Sequence, residues 1–304
     1  MKKLSVIIPT YNRVDSLRRT FSYIKKSSVL PDELIVVDQS ESDYARQIEA
    51  LCRENEVVYK HLQHPSSTAA RNVGIETSSG DILVFMDDDV DVDQETLSNV
   101  KEVFCDEGIV LVGGYDKKTV IRNSKLGYVF GKSKKSKRNI GHMASGIYGR
   151  FPLVWGKATP TEWAMGFFFA VEKNFIVKHN CKFDENLQYY AYAEDLDFSY
   201  GVYLQAERCG RQCILSDRII VNHNVSNEYR TPTRKATFMS YLHRYYICKK
   251  YKLNSVKFWW SNFGDLIYRL LKRESLSDYF GAISFLISNR EKIAKGCFLY
   301  EKFM

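Results

Sequence analysis

Three consecutive carboxylates, Asp87, Asp88 and Asp89, follow directly on the apolar run Leu83-Val84-Phe85-Met86. That order reads as a buried strand ending in a cluster of negative charge at the edge of a sheet. In open α/β sheets ligands collect beyond the carboxyl ends of the strands, where the strand order reverses. Carboxylate oxygens suit Mg²⁺ or Mn²⁺, ions that keep positions open for water and phosphate oxygens. Plainer readings compete, because acids after a strand also cap helices or begin a solvated turn. A calcium loop does not fit. Counted from Asp87 or Asp89, its Gly position holds Val92 or Gln94 and its closing Glu position holds Ser98 or Val100. A second acidic pair, Glu194-Asp195, opens a helical segment, where the dipole favours carboxylates even without a chemical role. A carboxylate placed beside an incoming hydroxyl can take its proton. Asp38 closes the run Glu33 to Asp38 and can accept hydrogen bonds from a base or ribose, or cap a turn. His223 follows the apolar run Cys213 to Val221; a lone His after a strand is more often a hydrogen-bonded structural residue than a ligand.

Positioning such groups requires a sheet. Leu4 to Pro9 is a short apolar run stopped by Pro, as expected of a parallel strand covered on both faces, and Thr10-Tyr11-Asn12-Arg13 forms the next loop. Val14 to Ser27 has helical spacing, with Leu17, Phe21 and Ile24 on one face and Arg18, Arg19, Lys25 and Lys26 on the other. The strand Glu33 to Asp38 completes a βαβ unit, which predicts a right-handed crossover and a parallel sheet. A helix over about Tyr44 to Asn55 and a strand over Val57 to His61 follow. The small residues of Ala69-Ala70-Arg71-Asn72-Val73-Gly74-Ile75 let a helix press close to the sheet. Neither G-x-G-x-x-G nor G-x-x-x-x-G-K-[ST] is present, so a nucleotide would be held by other groups. Glu162 to Val171 reads as another buried strand, in which Gly166 predicts a close approach by substrate or backbone.

The chain has 304 residues, 45% of them hydrophobic, enough for one large α/β domain or a domain with an appendage. It lacks an apolar run of membrane-spanning length, and Met-Lys-Lys passes directly into a strand-like segment, which predicts a cytoplasmic protein. Seven cysteines without paired metal spacing read as reduced thiols serving as small core residues. The net charge of +8 is uneven: residues 117 to 161 hold 11 Lys and Arg with no acid, and residues 229 to 304 hold 15 against 5. Basic regions attract phosphate, whether of nucleic acid, an anionic membrane surface or a pyrophosphate substrate. Lys132 to Arg138, flanked by glycines, reads as a mobile surface loop.

Four motifs in order carry a resemblance. Ser5-Val6-Ile7-Ile8-Pro9-Thr10-Tyr11-Asn12-Arg13, Val36-Val37-Asp38-Gln39-Ser40, Ala70-Arg71-Asn72-Val73-Gly74 and Phe85-Met86-Asp87-Asp88-Asp89 resemble those of the family 2 glycosyltransferases with the GT-A fold. One departure is Asp38-Gln39-Ser40, where that family more often has a second acid and a Gly. The resemblance covers about residues 4 to 250. It implies an α/β, Rossmann-like, mostly parallel central sheet flanked by helices, with a C-terminal helical extension. The implied catalytic domain runs over 1–228, as a nucleotide-sugar-binding half (1–116), the basic loop region (117–161) and an acceptor half (162–228), followed by the helical region 229–304. It implies that Pro9, Tyr11, Arg13, Asp38, Arg71, Asn72, Asp87 and Asp88 meet the donor, and that Asp89 and His223 hold Mn²⁺ or Mg²⁺ with support from Asp87 and Asp88. Trp163, Gly166 and Glu194 would face the acceptor, with Asp195 as general base. The implied reaction is inverting transfer from a nucleotide-diphosphate sugar, UDP-linked by first expectation, to a hydroxyl of a glycan. A carboxylate takes the hydroxyl proton as an oxocarbenium-like centre forms, and a cation neutralises the departing diphosphate.

The basic, aromatic C-terminal region brings in a lipid-linked acceptor and contact with the inner membrane face. Val256 to Leu271 sets Trp259, Trp260, Phe263, Ile267 and Leu270 on an apolar face with Lys257, Arg269, Lys272 and Arg273 nearby. Such a helix lies in a membrane interface, or packs on the core or a second subunit, so homo-oligomer formation stays open. A sugar-phosphate nucleotidyltransferase would carry a Gly-rich basic loop where this chain has Pro9 to Arg13. A nucleic-acid or other anion-binding protein without catalysis would line an aromatic groove with cations instead of surrounding an acidic sheet edge, so no nucleic acid partner is expected.

Overall fold

The computed structural model describes residues 2–118, 125–132, 139–189, 191–224, 232–273 and 275–303. Leu4–Thr10 forms β1, buried along its whole length, and Val14–Ile24 forms α1, which turns Leu17, Phe21 and Ile24 inward. β2 (Glu33–Asp38), α2 (Ser42–Glu54), β3 (Val58–His61), α3 (Ser67–Thr77) and β4 (Ile82–Met86) continue the alternation. β5 (Val90–Val92), α4 (Thr96–Val103) and β6 (Ile109–Asp116) follow. Beyond them lie α5 (Lys125–Val129), β7 (His142–Ala144), β8 (Tyr148–Arg150), β9 (Thr159–Pro160), β10 (Phe168–Glu172) and α6 (Lys173–Lys178). α7 (Glu194–Arg208), β11 (Gln212–His223), α8 (Thr233–Lys250), α9 (Ser255–Lys272) and α10 (Ser277–Ile293) follow, and a 3-10 turn covers Tyr300–Lys302.

The main sheet runs β3-β2-β1-β4-β10-β6-β11-β5, with β9 added against β11. β3, β2, β1 and β4 are parallel, as the βαβ pattern predicts, and β10 enters antiparallel between β4 and β6. The strand order reverses beside β1, which places an open sheet edge at the ends of β1 and β4. Gly74 explains the seating of α3. A Cβ there would lie 2.3 Å from Ile7 Cγ2, so only Gly lets the helix approach β1 this closely.

Two expectations are corrected. The strand expected over Glu162 to Val171 is confined to Phe168–Glu172, because the N–H groups of Trp163, Ala164 and Gly166 bond to side chains and not to a neighbouring strand. Ala164 N–H donates to Ser199 Oγ (3.1 Å) and Gly166 N–H to Asp195 Oδ2 (2.8 Å). The basic stretch 117–161, expected as a mobile loop region, contains the β7–β8 hairpin, and most of Lys132 to Arg138 lies outside the described residues. Lys132 itself is ion-paired with Asp265 on α9.

Apolar side chains gather in three clusters. Two cover the faces of the sheet, and the third joins α8, α9 and α10 to Ile147, Trp163, Leu187 and Leu196. The C-terminal helices therefore share a core with the segments leading into α7.

Candidate active site

β4 ends at Met86, and the three acids follow as the chain turns into β5. Asp88 and Asp89 lie in the turn between the two strands, and the turn gives the three side chains different partners. Asp88 turns back into the protein and accepts from Thr10 Oγ1 at 2.7 Å and Arg13 Nη1 at 3.0 Å. Burial pushes its carboxyl up to about 7, against the opposing pull of Arg13 and Thr10. Asp87 and Asp89 instead meet His223, brought there by β11, whose antiparallel register sets His223 opposite Val90.

One donor atom from each of Asp87, Asp89 and His223 lies within 4.8 Å of the others. His223 Nε2 is 3.1 Å from Asp89 Oδ1, and its ring stacks on Phe167 at 5.1 Å. Burial opposes charging His223, yet the hydrogen bond and charge of Asp89 prevail and raise its pKa. Burial also raises Asp87, with the neighbouring Asp89 adding to the effect. The pair of like charges and the imidazole are a donor set that a divalent ion of the Mn²⁺ or Mg²⁺ type fits. The Asp87 side chain is 34% exposed, so the cluster opens to solvent on one side.

Arg71, on α3, ties this cluster to the second acidic pair. Its Nη2 is 3.0 Å from Asp87 and its Nη1 is 2.6 Å from Glu194, while its side chain is almost wholly buried. Burial works against its charge, but Glu194, Asp87 and Asp195 outweigh it and keep the guanidinium protonated. Glu194 and Asp195 open α7, where dipole and backbone N–H groups favour anions. Asp195 Oδ2 accepts from Gly166 N–H at 2.8 Å, and Oδ1 accepts from Leu196 N–H at 2.7 Å. Burial raises the pKa of both acids, while Arg71 pulls it down.

The approach to α7 is strained. Tyr189, Ala191 and Ala193 adopt φ of 58°, 47° and 67°, the left-handed region that residues with a Cβ avoid. Surrounding bonds hold the segment: Thr68 Oγ1 donates to the Leu187 carbonyl (3.0 Å), and His243 Nδ1 donates to that of Tyr192 (3.0 Å).

At the far end of the edge Asp38 is fully buried, accepting from Ser40 N–H (2.9 Å) and the Tyr59 hydroxyl (2.8 Å). Pro9 is buried in β1, Tyr11 points its hydroxyl to Glu41 (3.3 Å), and Arg13 bridges Asp88 and Asp89. The acids, Arg13, Arg71, Gly166 and His223 thus come together. Two expected site residues take supporting places instead. Asn72 exchanges hydrogen bonds with the Phe183 backbone and donates to Glu185, and Trp163 is buried, giving its indole N–H to the Arg150 carbonyl at 3.0 Å. Asp87, expected beside the donor and as support for the ion, stands with Asp89 and His223 in the group of three that could hold a metal ion. Tyr59 escaped the sequence reading and had no motif to mark it.

The sequence matches the family described as "Glycosyl transferase family 2" over residues 5–173. It is 33% identical over 119 residues to "Glycosyltransferase AglE" of Haloferax volcanii, covering 36% of this chain and 38% of that protein. It is 29% identical over 120 residues to the "GalNAc(5)-diNAcBac-PP-undecaprenol beta-1,3-glucosyltransferase" of Campylobacter jejuni, covering 38% of each. The matched stretches thus span well under half the length of these relatives. Among solved structures, the mannosyltransferase PcManGT from Pyrobaculum calidifontis in complex with GDP-Man and Mn²⁺ superposes with a TM-score of 0.56 at 14% identity, over 94% of this chain and 75% of that one. GalNAc-T7 with UDP, GalNAc and Mn²⁺ gives 0.57 at 17%, over 95% and 58%. The fold they share with this chain is GT-A. With more than half of its length inside the family match, the chain belongs to glycosyl transferase family 2.

Proposed function

We propose that the protein is a metal-dependent, inverting glycosyltransferase that moves a sugar from a nucleotide-diphosphate donor to a hydroxyl of a glycan acceptor. The observation that carries this reading is the chain of contacts Asp89–His223, Asp87–Arg71–Glu194 and Gly166–Asp195, which sets a cation-binding cluster and a candidate base on one sheet edge. Both similar structures contain Mn²⁺ together with a nucleotide or nucleotide sugar.

Asp87, Asp89 and His223 would hold the ion, which when bound supplies positive charge against the departing diphosphate. Asp195 would take the acceptor proton. Each of its oxygens already accepts one backbone N–H, which fixes its direction and leaves lone pairs for the hydroxyl. As the acceptor oxygen bonds the anomeric carbon, the bond to the diphosphate oxygen breaks and the proton passes to Asp195, giving inversion. Arg71 bridges the two acidic groups through Asp87 and Glu194 and offsets part of their charge. Asp38 and Tyr59 lie where the nucleoside would enter, and UDP is the first donor nucleotide to try. The undecaprenol-linked acceptor in the printed name of the Campylobacter jejuni relative makes a lipid-linked glycan a candidate acceptor.

The test is calorimetric titration of UDP, GDP and dTDP with Mn²⁺ and with chelator, joined to a turnover assay of Asp195→Asn. The reading expects one nucleotide to bind only with metal, and Asp195→Asn to keep that binding while losing about 10²-fold or more in turnover. A folded protein that binds none of the three nucleotides with Mn²⁺ sinks the reading.

A further inference from the structure

α9 is buried on one side and leaves apolar side chains exposed on another. Phe258 enters the C-terminal core, while the buried Asn262 accepts from Arg244, Ser261 lies against Gly146 and Gly264 against Phe130. On another side Val256 (78% exposed), Leu270 (51%) and Leu271 (69%) stand in one stripe at helical spacing with Trp260 and Phe263, which pack on Phe130, the Trp260 indole N–H donating to the Val129 carbonyl, and yet stay about half exposed. The exposed cations Lys257, Lys272 and Arg273 lie on or just after this helix. Its one acid, Asp265, is turned inward to Arg244, Lys132 and Tyr148, so the outer charge of α9 is positive.

A cavity of about 470 Å³ lies where α8, α9 and α10 meet, lined by Tyr245, Lys249, Trp259, Ile287 and Arg290. It offers two cations and two aromatic rings, with no carboxylate among the lining residues. The Lys249 ammonium sits 5.3 Å from the centre of the Tyr245 ring. Ile287 both lines the cavity and is 53% exposed, as is Phe280 two turns earlier on α10. A phosphate seated between Lys249 and Arg290 would have apolar surface at its side.

We propose that the outer face of α9, with this cavity, is a docking site for an anionic lipid bilayer: the stripe enters the headgroup region and the cavity receives a lipid phosphate. Among the described residues no helix is long and apolar enough to cross a membrane, so the contact lies along the surface. A helix of 18 residues presents about 27 Å of such contact. Charge decides against a second copy of this chain as the occupant, because it would bring the same basic region, with 15 Lys and Arg against 5 acids over 229–304, against itself.

The test uses the full chain and vesicles of phosphatidylcholine with and without phosphatidylglycerol, read by co-sedimentation, and needs neither donor nor acceptor. The expected result is binding to the phosphatidylglycerol vesicles alone, weakened by salt. Val256→Ser with Leu271→Ser, both at highly exposed positions, should lower partition about tenfold or more, and Arg290→Glu should do the same. Circular dichroism confirms that each variant is folded. Absence of binding to either vesicle overturns the proposal. So does binding that survives the Val256 and Leu271 substitutions, which would make the contact Coulombic and place it elsewhere. A lipid-independent dimer abolished by those substitutions gives the face to a second copy and also overturns it. Since no result here depends on turnover, the transferase reading stands or falls separately.

Discussion

Arg71 concentrates the energetics of the site in one side chain. It is a buried cation held between Asp87 and Glu194, and among the described residues no other ion pair joins either of these two acids to a Lys or Arg. Removing one partner from a buried ionic group costs about 3–5 kcal/mol, because the remaining charges stay desolvated and unpaired. Arg71→Met, which keeps much of the length and no charge, should lower the thermal midpoint markedly and weaken nucleotide binding; a variant as stable as the parent would show that the acids relax without it. Asp89→Ala acts on the ion instead. It should abolish the Mn²⁺-dependent part of nucleotide binding, as calorimetry with and without metal would show. Equal affinity in parent and variant would place the ion elsewhere. The acids were singled out by their place directly after an apolar strand, with a cap or a solvated turn as the competing reading. Their division of labour was not read from the triplet. Asp88 faces Thr10 and Arg13 while its neighbours face His223, a matter of which side each Cβ leaves the chain. Nor did type and spacing distinguish Asn72 and Trp163, which brace neighbouring segments, from residues that line a site.

Elements set the direction of Asp195. It sits on the first turn of α7, but the loop before β10 aims it: Gly166 donates to Oδ2, and a Cβ on residue 166 would lie 3.1 Å from Asp195 Cβ. Gly166→Ala would therefore press on the carboxylate by a few tenths of an ångström without breaking a helix or strand. The expected outcome is a fall of about tenfold in turnover with metal-dependent nucleotide affinity kept, since misplacement of a reacting group by 1 Å already costs about 10²-fold. Steady-state kinetics beside a nucleotide titration would separate the two; a loss of nucleotide affinity equal to the loss of turnover would mean that the loop serves the donor. The sequence pointed to a close approach at Gly166 but placed it within a strand. An apolar run such as Trp163 to Val171 has the same look whether its first half pairs in a sheet or gives its N–H groups to Ser199 and Asp195. The parallel half of the sheet was readable because its helices and strands alternate with the right periods. The left-handed residues Tyr189, Ala191 and Ala193 were not, since nothing in Tyr and Ala announces positive φ.

For the whole molecule, the C-terminal helices reach the site through buried polar contacts as well as apolar ones. His243 on α8 lies wholly inside, with Nδ1 against the Tyr192 carbonyl and Nε2 2.8 Å from the Tyr300 hydroxyl, so it spans from the strained approach to α7 to the end of the chain. Burial lowers its pKa from 6.5 to about 4. The imidazole is therefore neutral in the fold, while the unfolded chain binds its proton near pH 6.5. Above that pH its contribution is complete, and it is lost as pH falls towards about 4, a loss on the order of 3 kcal/mol by linkage. Asp88 works the other way. Its carboxyl, raised by burial to about 7, makes the fold lose stability as pH rises from the ordinary carboxylate range to that value. A single melting curve against pH would mix the two, so the informative quantity is a difference between two proteins. His243→Asn keeps a donor near the Tyr192 carbonyl and cannot take a proton in this range. At pH 7.5 it should melt below the parent, having lost packing and the Tyr300 contact; on acidification to pH 4.5 the gap should close, because the parent alone must then leave its buried imidazole uncharged. Parallel melting temperatures across that range would mean that His243 titrates in the fold as it does in water, and that the helical region is looser around it than its contacts with Tyr192 and Tyr300 require.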